Sequence, residues 1–302
     1  MKFSSRLFVF NFVLSSRRTS LALSLLFSLL ASLFSNSVSA YPNFISYGYQ
    51  SCLSCHYNPF GNGPLTDYGR AVGATAISDR IFWSKRATEE QITKSSDFFM
   101  GKSKLTEKKK WFRPSGSYRG LYMIQNFNDN ASKEDTYITM DASVAVAMSF
   151  FEDKLIAVGQ IGYAPIPRTL QGQSQKVEEY RSREYYIGYR IEKEIGIYAG
   201  LMDKVYGIRV PDHTAYSRKV TGNDQNDQTH GVLAHYSVDP IEIGVHAFVG
   251  NLVQDADLRQ RGVSAQIEYS TSTYTRVGAS VLSSRSDYQD INAQALHVRA
   301  GT

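Results

Sequence analysis

Cys52-Leu53-Ser54-Cys55-His56 places two thiols on either side of two residues, with an imidazole directly after the second thiol. That spacing is the attachment pattern of a c-type haem: the thiols add across the two vinyl groups and the adjacent imidazole reaches the iron from one face. A disulfide across the same two residues is the first alternative, and it gives His56 no role. A zinc site is the second, and it needs a fourth ligand that the neighbouring sequence does not offer. The residues that follow, His56-Tyr57-Asn58-Pro59-Phe60-Gly61-Asn62-Gly63-Pro64, read as a turn-rich loop. In it Pro59 would fix carbonyls beside His56 and orient its ring. Tyr57, Phe60 and Tyr68 would cover the porphyrin face or pack locally. The sixth iron ligand is either Met100, in Phe98-Phe99-Met100, or a vacant or water-bound position, because no second histidine occurs before His213.

Attachment of this kind belongs outside the bacterial cytoplasm, and the first forty residues read as an export signal. Lys2, Arg6, Arg17 and Arg18 form a basic leader, Leu21 to Phe34 is apolar, and Val38-Ser39-Ala40 is a small-residue cleavage site. The apolar run is shorter than the roughly 20 residues of a spanning helix, so cleavage before Tyr41 is favoured over anchoring. Of the formal charge of +5, these four basic residues carry four, which leaves about +1 for the remainder. That balance gives no support to nucleic-acid binding.

Beyond the leader the texture divides three ways. Residues 41–80 are rich in Gly, Pro, Tyr and Asn and form the c-type haem-binding segment. Residues 81–110 are charged, with Glu89-Glu90 and Lys108-Lys109-Lys110, and read as a short helix and linker. Residues 111–302 show about ten segments of period-two alternation. Ile138, Met140, Ala142, Val144, Val146 and Met148 oppose Thr139, Asp141, Ser143, Ala145 and Ala147. Tyr185, Ile187, Tyr189 and Ile191 oppose Glu184, Gly188, Arg190 and Glu192. Ile241, Ile243, Val245 and Ala247 oppose Glu242, Gly244 and His246, and Val263, Ala265, Ile267 and Tyr269 oppose Ser264, Gln266 and Glu268. The pattern is less clean at 117–127, 155–164 and 291–300.

Either of two architectures fits half-apolar strands: a soluble all-β domain with a greasy interior, or a membrane barrel with an apolar outside and a polar lumen. Tyrosines near segment ends suit interfacial girdles. Short connections at Phe151–Lys154 and Lys193–Ile195 alternate with long ones at Pro165–Ser182 and Asp203–Thr229. The expectation is a mainly β fold: an antiparallel up-and-down membrane β-barrel preceded by a small haem-binding segment with short helices. The end, Ala300-Gly301-Thr302, lacks the aromatic terminal residue usual in such barrels, so the barrel reads as incomplete at the C-terminus. The long polar stretch with Arg209, Asp212, His213, Arg218 and Asp227 reads as a solvated external loop or an inward selectivity loop.

A leader, one Cys-x-x-Cys-His segment and a tyrosine-rich strand pattern resemble bacterial outer-membrane β-barrel (porin-like) proteins with an N-terminal monohaem segment, and are similar to porin–cytochrome electron conduits. The resemblance covers the mature chain in architecture, but its one specific motif is residues 52–56. It implies thioether bonds at Cys52 and Cys55, an axial role for His56, one covalent haem c, and electron transfer at the periplasmic face of the outer membrane. Periplasmic or outer-membrane cytochromes and the lipid bilayer would be the partners. Known conduits use several haems, and this chain has one such motif. Two other functions stay open: a porin whose haem segment is a plug or redox sensor, and a soluble secreted or periplasmic monohaem cytochrome with an all-β domain. No nucleophile elbow, phosphate loop or paired metal motif marks the chain as an enzyme.

Overall fold

The computed structural model describes residues 45, 49, 51–61, 63–72, 111–125, 134–163, 179–208, 223 and 227–301. The expected signal peptide at 1–40, the charged 81–110 segment with Met100, and Arg209, Asp212, His213 and Arg218 lie outside the described residues. Alternating sequence becomes strand wherever it was read, and at the three less regular places too. The strands are β1 (Phe112–Gln125), β2 (Glu134–Phe150), β3 (Leu155–Tyr163), β4 (Tyr180–Arg181), β5 (Tyr185–Arg190), β6 (Ile195–Met202), β7 (Thr229–Val238), β8 (Ile241–Phe248), β9 (Arg261–Ser272), β10 (Thr275–Arg285) and β11 (Asp290–Ala300). Among the described residues a 3-10 turn (Cys52–Ser54) and a short helix, α1 (Asp67–Val72), precede them.

Each strand pairs antiparallel with its successor along the path β1-β2-β3-β5-β6-β7-β8-β9-β10-β11, and β4 pairs with the end of β3. The sheet is therefore an up-and-down meander. Among the described residues β1 and β11 are its two ends and do not pair with each other. Connections at one end of the sheet are short: 151–154, 191–194, 239–240 and 273–274. Those at the other include 164–179, 203–228 and 249–260. The expected turn at Lys193–Ile195 is shifted, because Ile195 is already paired with Tyr236 as the first residue of β6.

One face of the sheet is exposed and largely apolar, and the other is buried and partly polar. Outward side chains are apolar and exposed, including Val144 at 62%, Ile187 at 60% and Leu296 at 88%, with Val232, Val263 and Val281 about half exposed. Inward side chains are buried, and many are polar: Asp141, Glu184, Glu242, His246, Gln266 and Glu268. The sequence assigned Asp141, Glu184, Glu242, Gln266 and Glu268 to the polar side, and that is the side the structure buries. An apolar core also exists on the inner face. It combines Ile156, Val158, Tyr186, Tyr198 and Leu233 of the wall with Tyr57 and Phe60 of the N-terminal segment. Phe44–Thr302 thus pack as one compact unit.

Candidate functional site

The site begins as a tight turn. The backbone N–H groups of Cys55 and His56 both donate to the Cys52 carbonyl, at 3.1 and 2.9 Å, which brings the three residues of the motif onto one turn of chain. No disulfide joins Cys52 to Cys55, and both are partly exposed. Burial pushes the Cys55 thiol up. His56 pairs with Leu65 in an isolated antiparallel bridge, and the Tyr57 N–H donates to the Pro64 carbonyl at 3.3 Å. Residues 57–64 therefore form a closed tongue whose base is His56 and Leu65.

Thr66 ties this turn to the next element. Its N–H donates to the Cys55 carbonyl at 2.9 Å and its hydroxyl to the Ser54 carbonyl at 3.1 Å. The same Oγ1 accepts the Gly69 N–H at the start of α1, as a helix-capping hydroxyl does. From α1, Asp67 accepts two hydrogen bonds from the Arg113 guanidinium at 2.6 and 2.7 Å, and Arg70 donates to the Pro114 carbonyl at 2.7 Å. Arg113 faces Ala147 near the end of β2, next to the short turn 151–154. The cysteine turn is thereby fastened to the end of the sheet that carries the short connections. Hydrogen bonding from Arg113 holds the Asp67 carboxyl below the usual carboxylate range.

The tongue runs inward along the buried face. Asn58 donates to Glu184 Oε1 at 2.7 Å. Phe60 meets the His235 ring edge-on at 5.3 Å, over Gly244, where any Cβ would collide with the Phe60 ring. Tyr57 and Phe60 are both buried in the core shared with the sheet. Tyr68 is 53% exposed and lies edge-on to Tyr49, so it alone of the three stays at the surface.

Beyond the tongue the inner face carries a charge network. Glu242 of β8 and Glu268 of β9 stand directly opposite in register, a like-charge pairing that is unfavourable by itself. Arg276 relieves it, with Nη1 2.8 Å from Glu242 and Nε 3.3 Å from Glu268. His235 contacts Glu242 at 2.9 Å, His297 contacts Glu268 at 2.8 Å, and Arg299 also pairs with Glu268. Alternation marked Glu242 and Glu268 for the polar face, but the pairing of the network depends on register across strands and has no local signal.

The donor set fits a covalently held haem: two thiols that are not joined to each other, on one rigid turn, with the imidazole next in the chain and all three partly open to solvent. Among the described residues no group of three or more His, Cys, Asp or Glu side chains is placed to hold a metal ion on its own. A scan against protein-family models and a search of curated proteins returned no match to the chain.

Proposed function

We propose that this chain is a c-type haem-binding protein of the bacterial outer membrane, exported by its leader, that takes part in electron transfer at the periplasmic face of a β-barrel. The observation that carries the reading is the seating of the Cys-x-x-Cys-His turn. It is fastened to the short-turn end of the sheet through Asp67, Arg70 and Thr66, and its tongue enters the inner face. Short turns face the periplasm in outer-membrane barrels.

Two features support a membrane setting. Outward valines, isoleucines and tyrosines are exposed along the strands while charged side chains are buried inside, which costs little in lipid and much in water. Unpaired backbone at a sheet edge is not tolerated in hydrocarbon. With ten strands along the path, β1 and β11 run antiparallel, so a pairing between these two edges would close a barrel in the sense such barrels use.

Bound haem supplies reversible one-electron chemistry at its iron. Cys52 and Cys55 would hold the haem through thioether bonds and His56 would ligate its iron, on a turn that Thr66 and Leu65 hold through backbone contacts. A site at one mouth cannot span a hydrocarbon core of roughly 30 Å, so cytochromes on either side are required as donor and acceptor. The test is His56→Ala in the full chain. It should remove the redox signal of the membrane fraction while the protein's band on a denaturing gel still migrates differently in unheated and boiled samples, as that of a folded barrel does. Recovery of the mature protein in the soluble periplasm would contradict the membrane reading. The docking of Phe60 inside the sheet favours one second reading, a channel whose haem segment is a plug. Ion conductance that rises when residues 57–64 are shortened would select it.

A further inference from the structure

The wall of the sheet sends one carboxylate into the haem segment. Glu184 immediately precedes β5 and is 2% exposed, as is Asn58. Its backbone is pinned before its side chain does anything: the Glu184 carbonyl accepts the Gln160 N–H at 2.9 Å and the Ser182 hydroxyl at 3.2 Å. From that fixed origin Oε1 accepts the Asn58 amide at 2.7 Å, a bond between residues 126 apart in sequence. Asn58 uses its other atom locally, with Oδ1 accepting the Phe60 N–H at 3.0 Å. One amide therefore shapes the tongue and tethers it.

The tongue is also shaped around the carboxylate. Gly63 sits at φ +63°, and a Cβ there would come within 2.5 Å of Glu184 Oε2. Both the backbone conformation and the close approach call for glycine. The carboxylate thus lies between the two limbs of the tongue, against Asn58 on one and Gly63 on the other. The tongue's base is the His56–Leu65 bridge, so whatever fixes the tip limits the freedom of the His56 backbone. A carboxylate buried this deeply is costly and persists where hydrogen bonds hold it.

We infer that Glu184 is a positioning residue for the haem segment: clamped between Asn58 and Gly63, it fixes the 57–64 tongue and, through the His56–Leu65 bridge, the placement of the axial imidazole. The inference rests on the haem reading for its consequence, but not for the clamp itself.

The test uses the full chain matured in a host that attaches c-type haem, with Glu184→Gln, Glu184→Ala and, from the loop side, Gly63→Ala. Covalent haem staining and the heat shift come first, and all variants should retain both, since neither the thiols nor the strands are altered. The haem absorption and spin-resonance spectra and the midpoint potential follow. Glu184→Ala and Gly63→Ala should shift them. Glu184→Gln should match wild type, because its Oε1 still accepts from Asn58. Amide exchange over 57–64 should rise roughly tenfold in Glu184→Ala and Gly63→Ala but not in Glu184→Gln, the factor expected for one lost hydrogen bond. A wild-type spectrum, potential and exchange rate in Glu184→Ala would overturn the inference. If wild type carries no covalent haem, the haem reading fails while exchange still decides the clamp. If Glu184→Ala does not fold, Gly63→Ala decides it from the loop side.

Discussion

The inner face of the sheet is built in two ways. Along β3, β5 and β6 it is apolar, with Ile156, Val158, Tyr186 and Tyr198 closing around Tyr57 and Phe60. Along β8 to β11 it is charged, with Glu242, Glu268, Arg276, His297 and Arg299 satisfying one another. Both walls descend from the same period-two alternation, and both are buried. The difference is what lies against them. The N-terminal tongue packs on the apolar stretch through Tyr57 and Phe60 and also reaches polar groups of the wall at Glu184 and His235, so the tongue and the first wall form one packing unit. The segment that carries Cys52, Cys55 and His56 is accordingly packed against the interior through Tyr57 and Phe60.

The largest effect that would break this contrast lies in the charged wall. Glu268→Ala leaves Arg276 and Arg299 buried without the carboxylate that both use, and should cost about 3–5 kcal/mol. The readout is the urea concentration at which the compact band of the unheated, folded protein is lost. An unchanged midpoint would mean that the charged wall is wet and screened. Next comes the apolar wall. Phe60→Ala should cost about 3 kcal/mol through the cavity left over Gly244 and against His235. Its effect on amide exchange should be concentrated in residues 57–64 and β7–β8 and be absent from β10–β11. A uniform loosening of all strands would erase the distinction between the walls.

The smallest effect is a pH dependence at the fastening point. The folded Asp67 carboxyl is held below its unfolded value by Arg113, so the pair stabilises above the unfolded value of about 3.9 and is lost as pH falls through the lower folded value. Asp67 is more than half exposed, so screening limits the contribution to under about 1 kcal/mol. Asp67→Asn should flatten that acid limb in a melting series between pH 5 and 3, with little change at neutral pH. An acid limb identical to wild type would assign the loss to other carboxylates.

Much of this was legible in the sequence because alternation is a local property. Asp141, Glu184, Glu242, Gln266 and Glu268 fall on one face by parity alone, and the motif at 52–56 needs no long-range information. Three things were not legible. Glu184 reads as one more inward acid, since its partner Asn58 lies 126 residues away. Glu242 and Glu268 face each other only because the β8–β9 register puts them there, and Arg276 is needed only because they do. Tyr57 and Phe60 sit beside the motif, where aromatic residues suit a porphyrin face, and only the sheet reveals that they are its core. In each case the missing information is a tertiary pairing rather than a residue type.

The measurement closest to the central claim is haem staining of the denatured band. Full-length protein matured in a host competent for c-type attachment, boiled and separated on a denaturing gel, should stain for haem at its own mass. Cys52→Ala combined with Cys55→Ala should abolish the stain while the band still shifts on heating. A wild-type band that carries no covalent haem under those conditions would contradict the account.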